Sequence, residues 1–148
     1  MKKLFYLITF CLTSGAGIAQ KTQNNEAFAH TFSIVARDPQ TGDMAVGVQS
    51  HWFSVGTTVS WAEAGVGAIA TQSFVNKSFG IRGLTLLKSG KTAQETLDIL
   101  LSDDAGKEVR QVGIVDKNGN VAVHTGKNCV DFAGHVKGTQ FSVQSNMM

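Results

Sequence analysis

AFAHTFSIVARDPQTGDMAVGVQSHWFSVG, residues Ala27 to Gly56, decides how the rest of the chain is read. Thr31 to Arg37 alternates and carries Phe, Ile and Val, the mark of a half-buried strand. Asp38-Pro39-Gln40-Thr41-Gly42-Asp43 is a turn, with Pro fixing one φ and Gly free to take a positive one. Met44 to Gln49 resumes the alternation, with Met44, Val46 and Val48 on one face. The two segments predict a β-hairpin that opens on a threonine. Thr31 is therefore either a β-branched residue at a strand start or a nucleophile uncovered when the residues before it are removed.

Upstream of the hairpin the pattern is that of an export signal. Lys2 and Lys3 supply the positive start and Leu4 to Leu12 an apolar run too short to span a bilayer. Gly17-Ile18-Ala19 places small residues for cleavage after Ala19. A lipid anchor is not expected, because Cys11 lies inside the apolar run behind Phe10. The predicted division is a signal peptide at 1–19, a polar leader at 20–29 and one domain at 30–148, destined for the periplasm or the exterior. Without residues 1–19 the thirteen basic residues fall to eleven, equal to the eleven acidic ones. A neutral chain argues against nucleic acid or an anionic membrane as partner. Cys129 is then the remaining cysteine, so no internal disulfide forms; it is expected to be buried.

Downstream, Thr57 to Trp61 and Val66 to Thr71 predict a third and fourth strand, and their small residues suit a sheet packed closely on a neighbour. The period then changes. Gly80 to Ser89 predicts a short helix ended by Gly90. Thr92-Ala93-Gln94-Glu95 has the form of a capping box, opening a second helix with Leu97, Leu100 and Leu101 as its apolar stripe. Val109–Val115 and Asn120–Thr125 form a second hairpin around Asn118-Gly119. Asn128–Phe132 and Thr139–Ser145 are read as short strands. Strands, two helices, then strands predict an α+β fold with helices on antiparallel sheets. The end at Ser145-Asn146-Met147-Met148 carries no capping element and suggests a fragment or a shortened chain.

Several segments carry a resemblance together: HTFSIVARDPQTGDMAVGVQSHWFSVG, WAEAGVGAIATQSFVN, GIRGLTLLKSG, RQVGIVDKNGNVAVHTGKNC and FAGHVKGTQFSVQSNMM. In this order they resemble the bacterial family called domain of unknown function 1028, over His30 to Met148. Members look like N-terminal-nucleophile (Ntn) hydrolases. The resemblance implies an αββα sandwich, two antiparallel sheets between helix layers, that is C-terminally incomplete here. It also implies amide hydrolysis by a Thr, Ser or Cys at the start of the first strand. Autocleavage exposes that residue, and its own α-amine serves as base; the unperturbed amine pKa of about 8 suits that work. Thr31 stands at that position and His30 before the cut.

The remaining candidates come from residue chemistry. Ser50 and His51 end the second strand, and His51 titrates near neutral pH. His124 ends the second hairpin, and Asp131 and His135 follow, the minimum for a base and its orienter. Gln72, Gln144 and Asn146 are amides near strand ends that can donate to an oxyanion. Trp52 beside His51 is placed at a pocket mouth. His30, His51, His124 and His135 could gather around a metal if their loops converge, a weaker third reading because no pair has i,i+4 spacing; no metal and no cofactor is expected. Two functions follow: a secreted amide hydrolase acting on a peptide or small amide with Thr31 as nucleophile, or a secreted non-catalytic binding or assembly module on the same fold. Trp52 and Trp61 hint at a homodimer surface.

Overall fold

The computed structural model describes His30 to Met148. The expected signal peptide and leader lie outside the described residues. Strands β1 (Thr31–Arg37) and β2 (Met44–Ser50) form the predicted hairpin, with Thr31 opposite Ser50 and Arg37 opposite Met44. Gly42 closes the turn at φ 79°. A single helical turn, α1 (Gly56–Val59), then leads into β3 (Ser60–Glu63) and β4 (Gly67–Ser73). Helices α2 (Ser78–Lys88) and α3 (Ala93–Ser102) follow, and a 3-10 turn at Lys107–Val109 enters β5 (Arg110–Asp116). The chain continues through β6 (Val121–Thr125), β7 (Gly134–Gly138) and β8 (Phe141–Asn146).

The strands make two antiparallel four-stranded sheets, ordered β2-β1-β8-β7 and β3-β4-β5-β6. β1 and β2 face β4, β8 faces β5, and α2 and α3 cover the opposite side of the second sheet. That sheet is thus buried on both faces, which is why β4 and β5 read as near-continuous small or apolar runs. Its helix side holds Ile69, Phe79, Leu97, Leu100, Val112 and Ile114. Its other side holds Val35, Val59, Ala68, Ala70, Val115 and Val121.

Local chemistry fixes the helix ends. The Thr92 capping box is complete: Glu95 N–H donates to Thr92 Oγ1 at 3.2 Å and Thr92 N–H donates to Glu95 Oε2 at 2.9 Å. α2 ends with Gly90 at φ 96°, its N–H on Leu87 O at 3.0 Å and Lys91 N–H on Leu86 O at 3.2 Å. This is the pairing of a Schellman motif. Asp116 ties β5 to α3: its carboxylate accepts from the backbone N–H of Ala93, Asn118 and Asn120 and from the Asn120 side chain.

Three expectations change. The third strand begins at Ser60, not Thr57. Thr58 and Val59 N–H groups bond back to Val55 O, and the Thr58 hydroxyl reaches the same oxygen at 3.0 Å, so the threonines close a helical turn. Asn128–Phe132 is a loop, folded by Cys129 N–H on Gly126 O and Ala133 N–H on Val130 O; the strand lies at Gly134–Gly138. Cys129 is half-buried rather than buried, its thiol 3.4 Å from Arg110 O.

Among the described residues the layers are helix pair, sheet, sheet. No helix of the described residues covers the outer face of β2-β1-β8-β7. Alternation there puts Phe32, Ile34, Phe141, Val143 and Val136 outward, with Gly47, Gly134 and Gly138 between them, and no Asp, Glu, Lys or Arg in those rows. Gln49 and Ser145 are the polar residues of the outer rows, while the inner face carries Thr31, Ser33, Ser142, Gln144 and Asn146, all buried. Among the described residues no helix is long and apolar enough to cross a membrane.

Candidate active site

Thr31 opens β1, an interior strand, with Ser50 opposite it on β2 and Asn146 opposite it on β8. All three side chains share the inner face. Thr31 is buried, and its Oγ1 lies 2.9 Å from Ser50 Oγ. Ser50 Oγ also accepts from Trp52 N–H at 3.1 Å, so two bonds fix its position beside Thr31, and either hydroxyl can donate to the other. The strand pairing extends one residue further: His51 N–H donates to His30 O at 3.0 Å. The His30–Thr31 peptide is therefore held on both sides of the bond that an N-terminal threonine requires broken.

A cleft of about 330 Å³ opens at Thr31 and Ser50, with Gln72 and Ser73 from β4 and walls of Trp52, Val55, Val59, Phe74, Val75, Val130 and Met147. Its lining has no charged side chain. Ser73 (φ 67°) and Met147 (φ 60°) both hold left-handed backbone on its rim. Non-glycine residues in that region carry strain, and such strain concentrates at functional sites.

Beneath the cleft lies an amide cluster. Gln111 on β5 is fully buried. Its Nε2 donates to Gly134 O at 3.0 Å, Ser145 O at 3.0 Å and Thr125 Oγ1 at 2.9 Å. Its Oε1 accepts from Gln72 Nε2 at 2.6 Å and Asn146 Nδ2 at 3.0 Å. Gln72 Oε1 and Asn146 Oδ1 are buried without a partner. Gln144 is committed elsewhere, accepting from Ser33 Oγ at 2.7 Å and donating to Ser142 Oγ at 2.5 Å.

The predicted residues therefore divide. Thr31, Ser50, Asn146, Gln72 and Trp52 gather at one end of the sandwich. His51 joins them through its backbone, and its side chain is exposed. His124, Asp131 and His135 belong to the β6–β7 side. His124 Nε2 is 2.9 Å from Lys107 O, and the His135 Nδ1 partner is Thr125 Oγ1 at 2.8 Å rather than Asp131. Asp131 is exposed beside His135 in a separate shallow hollow. Burial lowers the His135 pKa below its ordinary value, and the nearby His124 charge lowers it further. Among the described residues no group of three His, Cys, Asp or Glu side chains could hold a metal ion. Trp61 is a packing residue: it lies against Gly80 of α2, and its indole N–H donates to Thr71 Oγ1 at 3.0 Å.

Sequence reasoning missed Gln111. Its one signal is a glutamine between Arg110 and the apolar run Val112–Val115, at a strand position whose burial would require partners from elsewhere.

No curated protein matches the chain. Its fold is similar to the crystal structure of a Silicibacter pomeroyi protein of the DUF1028 family, with TM-score 0.72 and 30% sequence identity. The match covers 80% of this chain and 53% of that one, so this chain spans about half the length of that relative. The family profile described as "Family of unknown function (DUF1028)" matches residues 31–148, beginning at the threonine that opens β1. The chain belongs to the DUF1028 family.

Proposed function

We propose that this protein is an exported amide hydrolase of the Ntn type, in which Thr31 becomes the nucleophile once the His30–Thr31 bond is cut. The observation that carries the reading is the placement of Thr31: start of an interior strand, hydroxyl 2.9 Å from Ser50 Oγ, at the head of an uncharged cleft. Export rests on Lys2, Lys3, the Leu4–Leu12 run and Gly17-Ile18-Ala19.

The same geometry supports a route for the cut. Thr31 Oγ1 adds to the His30 carbonyl carbon, and His51 N–H already donates to that carbonyl oxygen, where negative charge develops. The C–N bond breaks as the Thr31 nitrogen takes the hydroxyl proton. An ester then joins His30 to Thr31 Oγ1, and water hydrolyses it. The freed α-amine afterwards accepts the Thr31 hydroxyl proton as a substrate amide is attacked. An acyl-enzyme forms on Oγ1 as the amide C–N bond breaks and the proton passes to the leaving amine; water then hydrolyses this ester, releasing the acid and restoring the Thr31 hydroxyl. Ser50 holds the hydroxyl in place throughout.

The test is hydrolysis of a panel of short peptide amides and N-acyl amides by protein that begins at Thr31. Turnover with wild type and its absence with Thr31→Ala support the reading; equal turnover by both would remove it. A second reading is favoured by one observation, the charge-free outer face of β2-β1-β8-β7. An apolar surface of this kind marks an interaction site, as expected of a binding or assembly module, with a second copy of the chain among its partners.

A further inference from the structure

Gln111 can sit in its pocket only one way round. Three oxygens surround its Nε2, and two of them are backbone carbonyls, Gly134 O and Ser145 O, which accept and never donate. Turning the amide over would set its oxygen against both. The orientation of Gln111 then dictates that of its neighbours. Its Oε1 can only accept, so Gln72 and Asn146 must each turn a nitrogen toward it. Their oxygens face the other way, and both are buried without a partner.

These two acceptors are not scattered. Gln72 lines the cleft beside Thr31, and Asn146 lies opposite Thr31 in the strand register. A buried carbonyl oxygen that makes no hydrogen bond is costly, and native structures keep few of them. The cleft walls add the second half of the specification: aromatic and aliphatic side chains with no charge to meet a carboxylate or an ammonium.

We infer that Gln111 is a positioning residue that presets Gln72 Oε1 as an acceptor, so that the cleft takes a ligand presenting an N–H donor on an uncharged, apolar body, a primary amide above all. This rests on the Thr31 cleft being the site, as proposed above. It differs from the sequence expectation, in which Gln72 and Asn146 act as donors to an oxyanion. Here both donor ends are turned onto Gln111, and the acceptor end of Gln72, which lines the cleft, is left for the ligand.

The experiment uses three isosteric probes with the full chain: 3-methylbutanamide, its N,N-dimethyl amide and 3-methylbutanoate. Binding is followed by the Trp52 indole and the Gln72 side-chain amide resonances. The primary amide should bind at least about tenfold more tightly than the dimethyl amide, since the latter leaves the Gln72 acceptor unmet. The carboxylate should bind no better than the dimethyl amide. Gln111→Met should bring the amide-to-dimethylamide ratio close to one while the spectrum stays dispersed. Should that variant fail to fold, the comparison on wild type decides alone. Equal binding of the two amides, tightest binding of the carboxylate, or no response to any probe would overturn the inference. The ratio is also read on Thr31→Ala, which has no nucleophile. A ratio that persists there while wild type shows no cut at His30–Thr31 retains the inference and rejects the hydrolase. A cut without any ratio does the reverse.

Discussion

Replacing Gly113 by alanine measures how tightly the two sheets meet. Gly113 lies in β5, and a Cβ there would fall 2.4 Å from Gln144 Nε2 and 2.7 Å from Gln144 Cδ. The end of a glutamine is flexible, so a surface neighbour would swing aside at little cost. Gln144 is buried and bonded to Ser33 and Ser142, themselves buried. Swinging it aside breaks both bonds, each costing about 1–3 kcal/mol if its buried partners stay unmet. Overpacking adds about 1–3 kcal/mol, and the stiffer unfolded chain returns about 0.4–1 kcal/mol. These terms set a floor of about 2 kcal/mol on the loss. With a slope of about 2 kcal/mol per molar, the urea midpoint falls by at least about 1 M. The diagnostic step is the same change in a Gln144→Ala background. The obstacle is then gone, and Gly113→Ala should cost less than about 1 kcal/mol, a coupling of more than about 1 kcal/mol. An equal cost in both backgrounds would refute the reasoning and place the strain in the backbone.

Acidification should destabilise the fold through His135. Its folded pKa is lowered, so the unfolded chain binds the proton first, and stability falls as pH drops through the ordinary histidine value of about 6.5. In His135→Gln the urea midpoint should lose that part of its fall between pH 7.5 and 5.5, a small part because the His135 side chain is exposed and solvent screens it. Asp116→Asn should cost about 2–5 kcal/mol by urea unfolding, because an NH2 group then faces donors that the carboxylate now accepts; a loss under about 1 kcal/mol would mean the carboxylate does not hold the β5–α3 junction. Ile34→Lys on the outer face should leave the urea midpoint of the described fold almost unchanged and reduce binding of an apolar dye, since Ile34 is 42% exposed. A large loss of stability there would show that the face is covered.

Local signals in the sequence became local structure. Alternation on both sides of Pro39 and Gly42 gave β1 and β2, and that hairpin alone sets Thr31 opposite Ser50. Thr92 with Glu95, Gly90, and Asn118-Gly119 each marked a helix or strand boundary through a hydrogen bond or a positive φ confined to a few residues. Two segments misled for the same reason. Thr57-Thr58-Val59 is β-branched, and Asn128–Phe132 contains Val130 and Phe132. Both look extended until hydroxyl or backbone bonds to near neighbours fold them. The site was legible only where the hairpin supplied it. Asn146 reaches Thr31 through pairing of β1 with β8, and Gln72 and Gln111 meet it through the packing of one sheet on the other. Neither contact has a short-range signature. His124, Asp131 and His135 read as a base and its orienter because they are close in sequence. The β6–β7 geometry gives His135 to Thr125.

The central claim is that Thr31 becomes a free N-terminus. Its most direct test is the intact mass and N-terminal sequence of the purified protein, beside Thr31→Ala prepared identically. The account predicts a chain that begins at Thr31 in wild type and an uncut His30–Thr31 bond in the variant. A wild-type chain that keeps His30 joined to Thr31 would contradict it, since Thr31 would then have no amine to act as base.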